Sequence, residues 1–194
     1  MSNCNVTING RTIYLADEIT DESAGCICSA ILNIIAEDDK NELVIKEFIR
    51  KPIKLFINTP GGSVTALWSI VDIMLASRTH VFTYSSGRSF SCGAVLLAAG
   101  YKRFVYRHSE ILIHTVSWKL NGDLKTIHDS LEHGDYEQKM VDEFFKDNSK
   151  ITQEKLDEIT KEKIEWYLTP EEAIKLGIVD DWATNDSKYL ENGK

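Results

Sequence analysis

Apolar and polar residues along the chain follow two periods that replace one another repeatedly. Alternating or uniformly apolar segments predict β-strands, and apolar residues spaced i, i+3, i+4 and i+7 predict amphipathic helices. Because the two kinds of segment alternate, they predict an α/β fold built from repeated βαβ units. The predicted strands cover 11–16, 53–58, 80–84, 103–107, 110–114 and 178–179. The predicted helices cover 20–36, 42–50, 64–75, a run of small residues after 91, 124–148, 152–163 and 170–176.

Local signals mark the ends of several of these elements. The charged run Glu37-Asp-Asp-Lys-Asn predicts a break between the first two helices. Thr169-Pro170-Glu171-Glu172 has the form of a capping box, with proline at the first helical position. The polar stretch 118–123 predicts a loop before the long helix. No repeat, low-complexity tract or linker interrupts the chain, so we expect one domain over 1–194.

Composition excludes several classes of function. A net charge of −8 argues against sequence-independent binding of nucleic acid, which needs a basic surface. No apolar run is long enough to span a membrane, and the polar start is not a signal peptide. The four cysteines have neither the spacing of a zinc site nor the density of a disulfide scaffold. Reduced thiols and a cytoplasmic location are therefore expected.

The stretch 87–94 is the first candidate for chemistry. It leads from a predicted strand into a run of small residues, which places Ser91 at a strand-to-helix junction. A serine there exposes its hydroxyl at the tip of a turn, and free N–H groups at the helix start can bind an oxyanion. The spacing resembles a nucleophile elbow, although Ser89 stands where that motif has its first glycine. A plain helix cap is the alternative.

Two further stretches support either a structural or a catalytic interpretation. Gly61 and Gly62 follow a strand and precede a helix, so their N–H groups could bind an anion or simply form a tight connection. The glycine spacing fits neither a Walker loop nor a dinucleotide fingerprint. His114 ends a predicted strand on the same face as Leu112, where a lone histidine is usually structural.

Taken together, these stretches resemble the Clp protease family, the serine peptidases of the ClpP/crotonase fold. Asn58-Thr-Pro-Gly-Gly is similar to the family's Asn-Ser-Pro-Gly-Gly, and 87–100 is similar to the block that carries its nucleophile. Ile111-Leu-Ile-His resembles the block that carries its histidine. The stretches 168–173 and 177–180 resemble its C-terminal block. The resemblance covers about 11–182, and several motifs in order make a chance match improbable.

The resemblance implies a role for each matching residue. Ser91 matches the nucleophile and His114 the general base, while Gly62 and Cys92 match the residues whose N–H groups form the oxyanion hole. The third member of the triad is an aspartate in the family, and the matching position here is Glu165. A glutamate can orient an imidazole, as some hydrolase triads show. Lesser candidates are Asp157 and Glu162, and an ordinary surface carboxylate is the alternative.

The resemblance also implies an architecture and partners. The head would comprise about 10–116 and 150–182, the protruding handle helix about 117–149, and the C-terminal tail 183–194. The expected assembly is a homo-oligomer of two stacked heptameric rings, a tetradecamer with its active sites inside. The family's longer N-terminal leader touches an AAA+ unfoldase, and only about ten residues precede the first predicted strand here. The short leader therefore argues against docking of such an ATPase, which the resemblance otherwise implies as a partner.

The sequence leaves three alternative functions for this chain. The leading one is a serine endopeptidase that cleaves peptides or unfolded proteins and needs neither metal nor cofactor in this chain. The second is a catalytically silent ring subunit that serves as scaffold or regulator. The third is a crotonase-type acyl-CoA enzyme, which shares the fold and a backbone oxyanion hole, although the pairing of serine with histidine argues against it. Neither nucleic acid nor membrane is expected as a partner.

Overall fold

A computed structural model describes residues 5–117 and 122–190. Within them, eight strands form one sheet, accompanied by seven α-helices. The strands are β1 Val6–Asn9, β2 Thr12–Leu15, β3 Ile53–Thr59, β4 Val81–Phe90, β5 Lys102–Val105, β6 Glu110–Ile113, β7 Trp166–Leu168 and β8 Asp181–Trp182. The helices are α1 Asp21–Val44, α2 Val64–Ala76, α3 Cys92–Ala98, α4 Leu124–Asn148, α5 Gln153–Glu162, α6 Pro170–Lys175 and α7 Ser187–Leu190.

Strand β4 is the centre of the sheet. The main strand order is β1-β2-β3-β4-β5-β8, and β6 pairs with β4 off this path and carries β7. The first half of β4 pairs in parallel with β5, and its second half, Arg88 to Phe90, pairs in parallel with β6. The predicted strand 80–84 covers only the first half. The second half extends the strand to Phe90, directly before Ser91.

The two faces of the sheet bury different residues. Along β3, the side chains of Ile53, Leu55 and Ile57 are fully buried in the main core, which the helices complete. Because side chains alternate along a strand, Phe56 lies on the other face, where it stacks on Tyr84 with ring centroids 4.6 Å apart. The residues Phe82, Tyr84, Phe104 and Ala183 form a second, smaller cluster, against which Tyr189 and Leu190 pack.

The predicted break at 37–41 and the helix over 42–50 are both wrong. Helix α1 runs without interruption to Val44, and the chain after it is not helical. Asp38, in the predicted break, is 1% exposed and accepts hydrogen bonds from both terminal nitrogens of Arg11 at 2.8 Å. The Thr79 hydroxyl donates to the same carboxylate at 2.8 Å. The Asp38 carboxylate can therefore be buried because Arg11 and Thr79, both distant in the sequence, donate hydrogen bonds to it.

Other boundaries also differ from prediction. Strands β1 and β7 were not predicted, and both are antiparallel partners of strands that were. The predicted strand 178–179 is wrong, because the N–H groups of Ile178 and Val179 donate to Ala173 O and the pairing with β5 begins at Asp181. The capping box at Thr169 is confirmed. The predicted loop 118–123 lies mostly outside the described residues, and α4 begins as predicted.

A bilayer span needs a long and uniformly apolar helix. None of the helices within 5–117 and 122–190 meets both requirements.

Asp38 is expected to stabilise the fold in a pH-dependent way. Burial raises the pKa of its carboxyl group, but the hydrogen bonds from Arg11 and Thr79 and the charges of Arg11 and Arg50 outweigh burial, so the pKa lies below its ordinary value. A lowered pKa in the folded state means that the stabilisation is complete above the pKa of the unfolded chain. The stabilisation is then lost as the pH falls through the folded-state pKa.

We predict that Asp38→Ala lowers the free energy of unfolding at pH 7 by about 2–4 kcal/mol, since it leaves the part-buried Arg11 guanidinium unpaired. The difference from wild type should shrink below about pH 4, where the wild-type carboxylate takes up a proton. Urea unfolding across the acid range measures both effects. The control is Asp39→Ala, which removes a more exposed partner of Arg50 and should cost about 0–1 kcal/mol. Equal losses in the two variants would contradict the prediction.

Candidate active site

Ser91 lies at the junction of β4 and α3 in an unusual backbone conformation. Its φ of 55° and ψ of −121° belong to a region that residues other than glycine rarely adopt. The Ser91 N–H group donates to Leu112 O at 2.8 Å, so the pairing between β4 and β6 holds the strained turn from one side. Strain of this kind persists only where the surroundings over-determine it, and it concentrates at functional sites.

The diglycine turn after β3 contacts the serine directly. Gly61 has a φ of 103°, and a Cβ atom placed on it would lie 2.7 Å from Ser91 Cβ and 2.9 Å from Phe90 O. Gly62 has a φ of 145°, and a Cβ atom there would collide with the backbone of Ile19. Both glycines are therefore required by close approach, which brings the Gly62 backbone up to Ser91.

Within the described residues, the backbone N–H groups of Gly62 and Cys92, beside the serine, donate no hydrogen bond. Among the described residues, no hydrogen-bond acceptor faces the N–H group of Gly62. Cys92 is the first residue of α3, where an N–H group has no acceptor within the helix. Gly62, Ser91 and Cys92 line one cavity. Free donors beside a hydroxyl can stabilise negative charge that develops on a substrate oxygen.

His114 lines the same cavity, which has a volume of about 60 Å³. It lies one residue beyond β6, whose Leu112 is opposite Phe90 in the parallel pairing with β4. The sheet thus brings two residues from separate motifs to the same edge. Within 5–117 and 122–190 no hydrogen bond joins Ser91 to His114. Catalytic hydrogen bonds are often long in free enzymes and tighten when substrate binds.

The remaining wall of the cavity is mostly apolar. Two of its residues, Val141 and Phe145, come from α4 and are buried in the main core. The chain thus closes the cavity with the C-terminal half of the long helix, next to the candidate serine. The other apolar lining residues are Val64, Val95, Ile113 and Val116.

Strand β7 brings Glu165 towards His114. The antiparallel register ends with Ile113 paired to Trp166, and His114 and Glu165 are the next residues along the two chains. The Glu165 side chain is exposed and accepts from the Tyr167 hydroxyl at 3.5 Å. No hydrogen bond joins it to His114 in the part of the chain that the structure describes.

The two lesser carboxylate candidates have other partners on or next to α5. Asp157 accepts from the Gln153 amide at 2.9 Å, and Glu162 lies 3.4 Å from the ammonium of Lys161. The strand register therefore favours Glu165 over both.

The fold agrees with what comparison with known proteins shows. The Clp protease family matches residues 2–186 of the chain. The chain belongs to the Clp protease family. It is 32% identical over 191 residues to the ATP-dependent Clp protease proteolytic subunit 2 of Mycolicibacterium paratuberculosis, covering 96% of this chain and 88% of that one. It is 33% identical over 177 residues to the corresponding subunit 1 of Mycobacterium bovis, covering 89% and 82%.

Membership of the Clp protease family confirms two predictions from the sequence. The chain has the ClpP-type α/β fold, and its function is that of a serine protease. The acyl-CoA alternative has no support in these relatives, whose names all describe proteolytic subunits.

A bulge in β4 sets the position of the serine, and the sequence did not reveal it. The register between β3 and β4 jumps from Ile57 opposite Ser85 to Thr59 opposite Ser89. Asn58 Oδ1 accepts from Arg88 N at 3.3 Å inside the bulge, and a Cβ atom on Gly87 would lie 2.8 Å from the same oxygen. The residues concerned belong to the two motifs that the family resemblance singles out.

The contact of the Cys92 thiol with the diglycine turn is a second feature that sequence reasoning missed. Burial raises the pKa of Cys92 to about 11, although a hydrogen bond to Gly62 opposes the shift. The thiol is therefore protonated at neutral pH, which makes Cys92 a poor nucleophile. Its Sγ donates to Gly62 O at 3.2 Å.

Metal-ligand geometry occurs at a different place. Within the described ranges, His128, Asp129 and Glu132 are grouped closely enough to share an ion. All three are exposed on α4 and none lines the cavity, so the group carries no functional assignment.

We predict that Gly61→Ala lowers kcat/KM on a fluorogenic peptide by at least about 100-fold, because the added methyl group displaces Ser91 and a shift of about 1 Å is that costly. The matched control is Gly25→Ala in α1, where a Cβ atom meets nothing within 4 Å. This control should keep full activity and gain about 0.5–1 kcal/mol in stability. A Gly61→Ala protein as active as the Gly25→Ala protein would show that the close approach is not needed.

Proposed function

We propose that the protein hydrolyses peptide bonds with Ser91 as nucleophile and His114 as general base. The observation that carries this proposal is the single cavity lined by both side chains together with Gly62 and Cys92. The N–H groups of Gly62 and Cys92 are the proposed donors to the oxyanion. A hydroxyl, an imidazole and two free N–H donors are the parts that acyl transfer requires.

The proposed reaction has two steps. Ser91 Oγ attacks the carbonyl carbon as His114 takes up its proton, and the carbonyl oxygen becomes an oxyanion held by the two N–H groups. The imidazolium of His114 then protonates the leaving amine, and the C–N bond breaks to leave an acyl-enzyme. Water attacks the ester by the same route in reverse, with His114 as base, and releases the acid and free Ser91.

We propose Glu165 as the third member of the triad. The register of β6 and β7 supports this assignment, because it pairs Ile113 with Trp166, the direct neighbours of His114 and Glu165. A carboxylate there would hold the imidazole in the correct tautomer and stabilise its charged form. The Tyr167 hydroxyl, which donates to Glu165 Oε2, is the contact that the carboxylate would exchange for His114.

The proposed substrates are peptides and unfolded proteins that carry an apolar side chain at the cleaved bond. The apolar wall formed by Val141 and Phe145 supports this choice, since a charged side chain would lose its hydration there without a partner. An extended peptide is proposed because Ser91 and His114 directly follow β4 and β6, so both lie at the C-terminal ends of neighbouring strands.

The proposed organisation of the chain is one domain with a head, a handle around α4 and a C-terminal tail. Helix α4 supports this division, because its two halves have different surroundings. In its C-terminal half Val141 and Phe145 are buried, whereas in its N-terminal half Leu124 is 88% and Leu131 48% exposed. Apolar residues exposed along one helix are typical of an interface.

Clp family proteins form oligomeric rings, and we infer two stacked heptameric rings that meet through α4. The names of the relatives describe ATP-dependent proteases, so an AAA+ ATPase is the partner class that we propose for assay. A cytoplasmic location is proposed from the unpaired thiols of Cys26, Cys28 and Cys92.

The test of function is labelling with a fluorophosphonate probe, read by peptide mass spectrometry. We expect modification of Ser91 that is lost in His114→Ala, because the serine reacts only when a base removes its proton. Peptide hydrolysis should be absent in Ser91→Ala and should fall by up to about 10⁴-fold in Glu165→Gln, by analogy with triads that lose their carboxylate.

The controls for the carboxylate are Asp157→Asn and Glu162→Gln, which should keep wild-type rates. A loss confined to one of these controls would move the third role to that residue. An assembled wild-type protein that is neither labelled nor active would favour the silent ring subunit instead.

We predict that Leu131→Glu splits the assembly, since it places a carboxylate in the proposed apolar contact between rings. Light scattering should show about half the wild-type mass, as expected for single rings in place of a stacked pair. Leu43→Glu, at an 87% exposed leucine of α1, is the matched control and should leave the mass unchanged. An unchanged mass in Leu131→Glu would exclude this part of α4 from the interface.

A further inference from the structure

The carbonyl groups of the diglycine turn are held on both sides by hydrogen bonds. Gly61 O accepts from Ile19 N at 2.7 Å and from the Thr59 hydroxyl at 3.2 Å. The same hydroxyl accepts from Gly61 N at 3.1 Å. Gly62 O accepts from Cys92 Sγ at 3.2 Å. Two side chains and one backbone group thus determine how the turn is oriented.

These contacts also determine where the Gly62 N–H group points. In a trans peptide the C=O and N–H groups point in opposite directions. Because Gly61 O is directed at Ile19 and Thr59, the N–H group of Gly62 in the same peptide is directed away from them. The carbonyl group of Gly62 is held by Cys92, whose thiol donates to Gly62 O. The backbone of Cys92 also supplies the second N–H donor of the cavity.

We propose that the side chains of Cys92 and Thr59 are positioning groups that fix the two oxyanion donors relative to one another. Cys92 has the larger role, because its backbone supplies one N–H donor and its thiol anchors Gly62, which supplies the other. Thr59 anchors the preceding carbonyl. This inference rests on the proposed function, in which Gly62 and Cys92 bind the oxyanion.

The surroundings of both side chains suit this role. Burial raises the pKa of the Cys92 thiol to about 11, so at neutral pH the S–H group is present to donate. Thr59 is fully buried, and a Cβ atom on Gly93 would lie 2.5 Å from Thr59 Cγ2. The threonine is therefore held between the turn and α3, where its methyl group sets the spacing and its hydroxyl bonds the turn.

Packing and hydrogen bonding are distinguished by paired substitutions. Cys92→Ser keeps a donor in a smaller side chain, whereas Cys92→Ala loses both volume and donor. Thr59→Ser likewise keeps the hydroxyl and loses the methyl group, and Thr59→Val keeps the shape and loses the hydroxyl. A role in packing alone would make Cys92→Ser resemble Cys92→Ala, whereas a positioning role would let serine restore the rate.

The experiment measures kcat and KM of the assembled protein on a fluorogenic peptide, together with inhibition by a peptide aldehyde. An aldehyde forms a tetrahedral adduct with serine, so its affinity reports on the oxyanion donors. We expect Cys92→Ala and Thr59→Val to lower kcat about 5- to 50-fold, less than the about 100-fold or more for outright loss of a donor. KM should change by less than about 2-fold, and aldehyde affinity should fall in parallel with kcat.

The conservative variants should recover most of the loss, with Cys92→Ser and Thr59→Ser within about 3-fold of wild-type kcat. The matched control is Cys28→Ala, which removes a thiol that donates to Ser69 O at 3.6 Å in another part of the fold. It should retain the wild-type kcat and aldehyde affinity.

The outcomes separate this inference from the proposed function. Activity that survives in Ser91→Ala would overturn the function and with it the inference. Activity that requires Ser91 but is unchanged in Cys92→Ala and Thr59→Val would overturn the inference alone. A loss in Cys92→Ala that Cys92→Ser does not restore would also overturn it, in favour of packing.

Discussion

Strand β4 is paired along almost its whole length, and the site depends on this pairing. It is bonded to β3 on one side and to β5 and then β6 on the other. A strand held in this way can end in a residue with a φ of 55° without relaxing, because Ser91 N is already committed to Leu112 O. Rearranging Ser91 would mean breaking sheet hydrogen bonds. The rest of the cavity is arranged around that fixed point.

The polar part of the cavity is built largely from backbone, and this explains its glycines. Gly61 lets the turn reach Ser91, and Gly62 lets it run beside Ile19. Backbone donors have little freedom to move once their carbonyl groups are bonded, so they need no reorganisation during a reaction. Thr59 and Cys92 contribute those bonds from opposite sides of the turn. The two glycines let the turn approach Ser91, and the side chains of Thr59 and Cys92 hold the turn in that position.

Helix α4 connects the site to the remainder of the molecule. Its C-terminal half supplies Phe145 to both the main core and the cavity wall. The amide of Gln138, on the same helix, accepts from Val116 N at 2.7 Å, two residues beyond His114. Its N-terminal half keeps Leu124 and Leu131 exposed. Helix α4 therefore contacts the segment after His114 with one half and carries exposed apolar side chains on the other.

The sequence alone was enough for features whose causes are local. The capping box at Thr169 and the start of α4 depend on neighbouring residues, and the glycine and serine motifs are contiguous in the chain. Features that depend on distant partners required the tertiary structure. The sequence around Asp38 predicts a loop. Only the structure shows that Asp38 lies within α1 and is paired with Arg11, 27 residues away. The chain ends that carry His114 and Glu165 are joined only by the pairing of β6 with β7, and the Cys92 thiol reaches Gly62 across 30 residues. Periodicity reports which face of an element is apolar, whereas such contacts arise only when separate elements pack together.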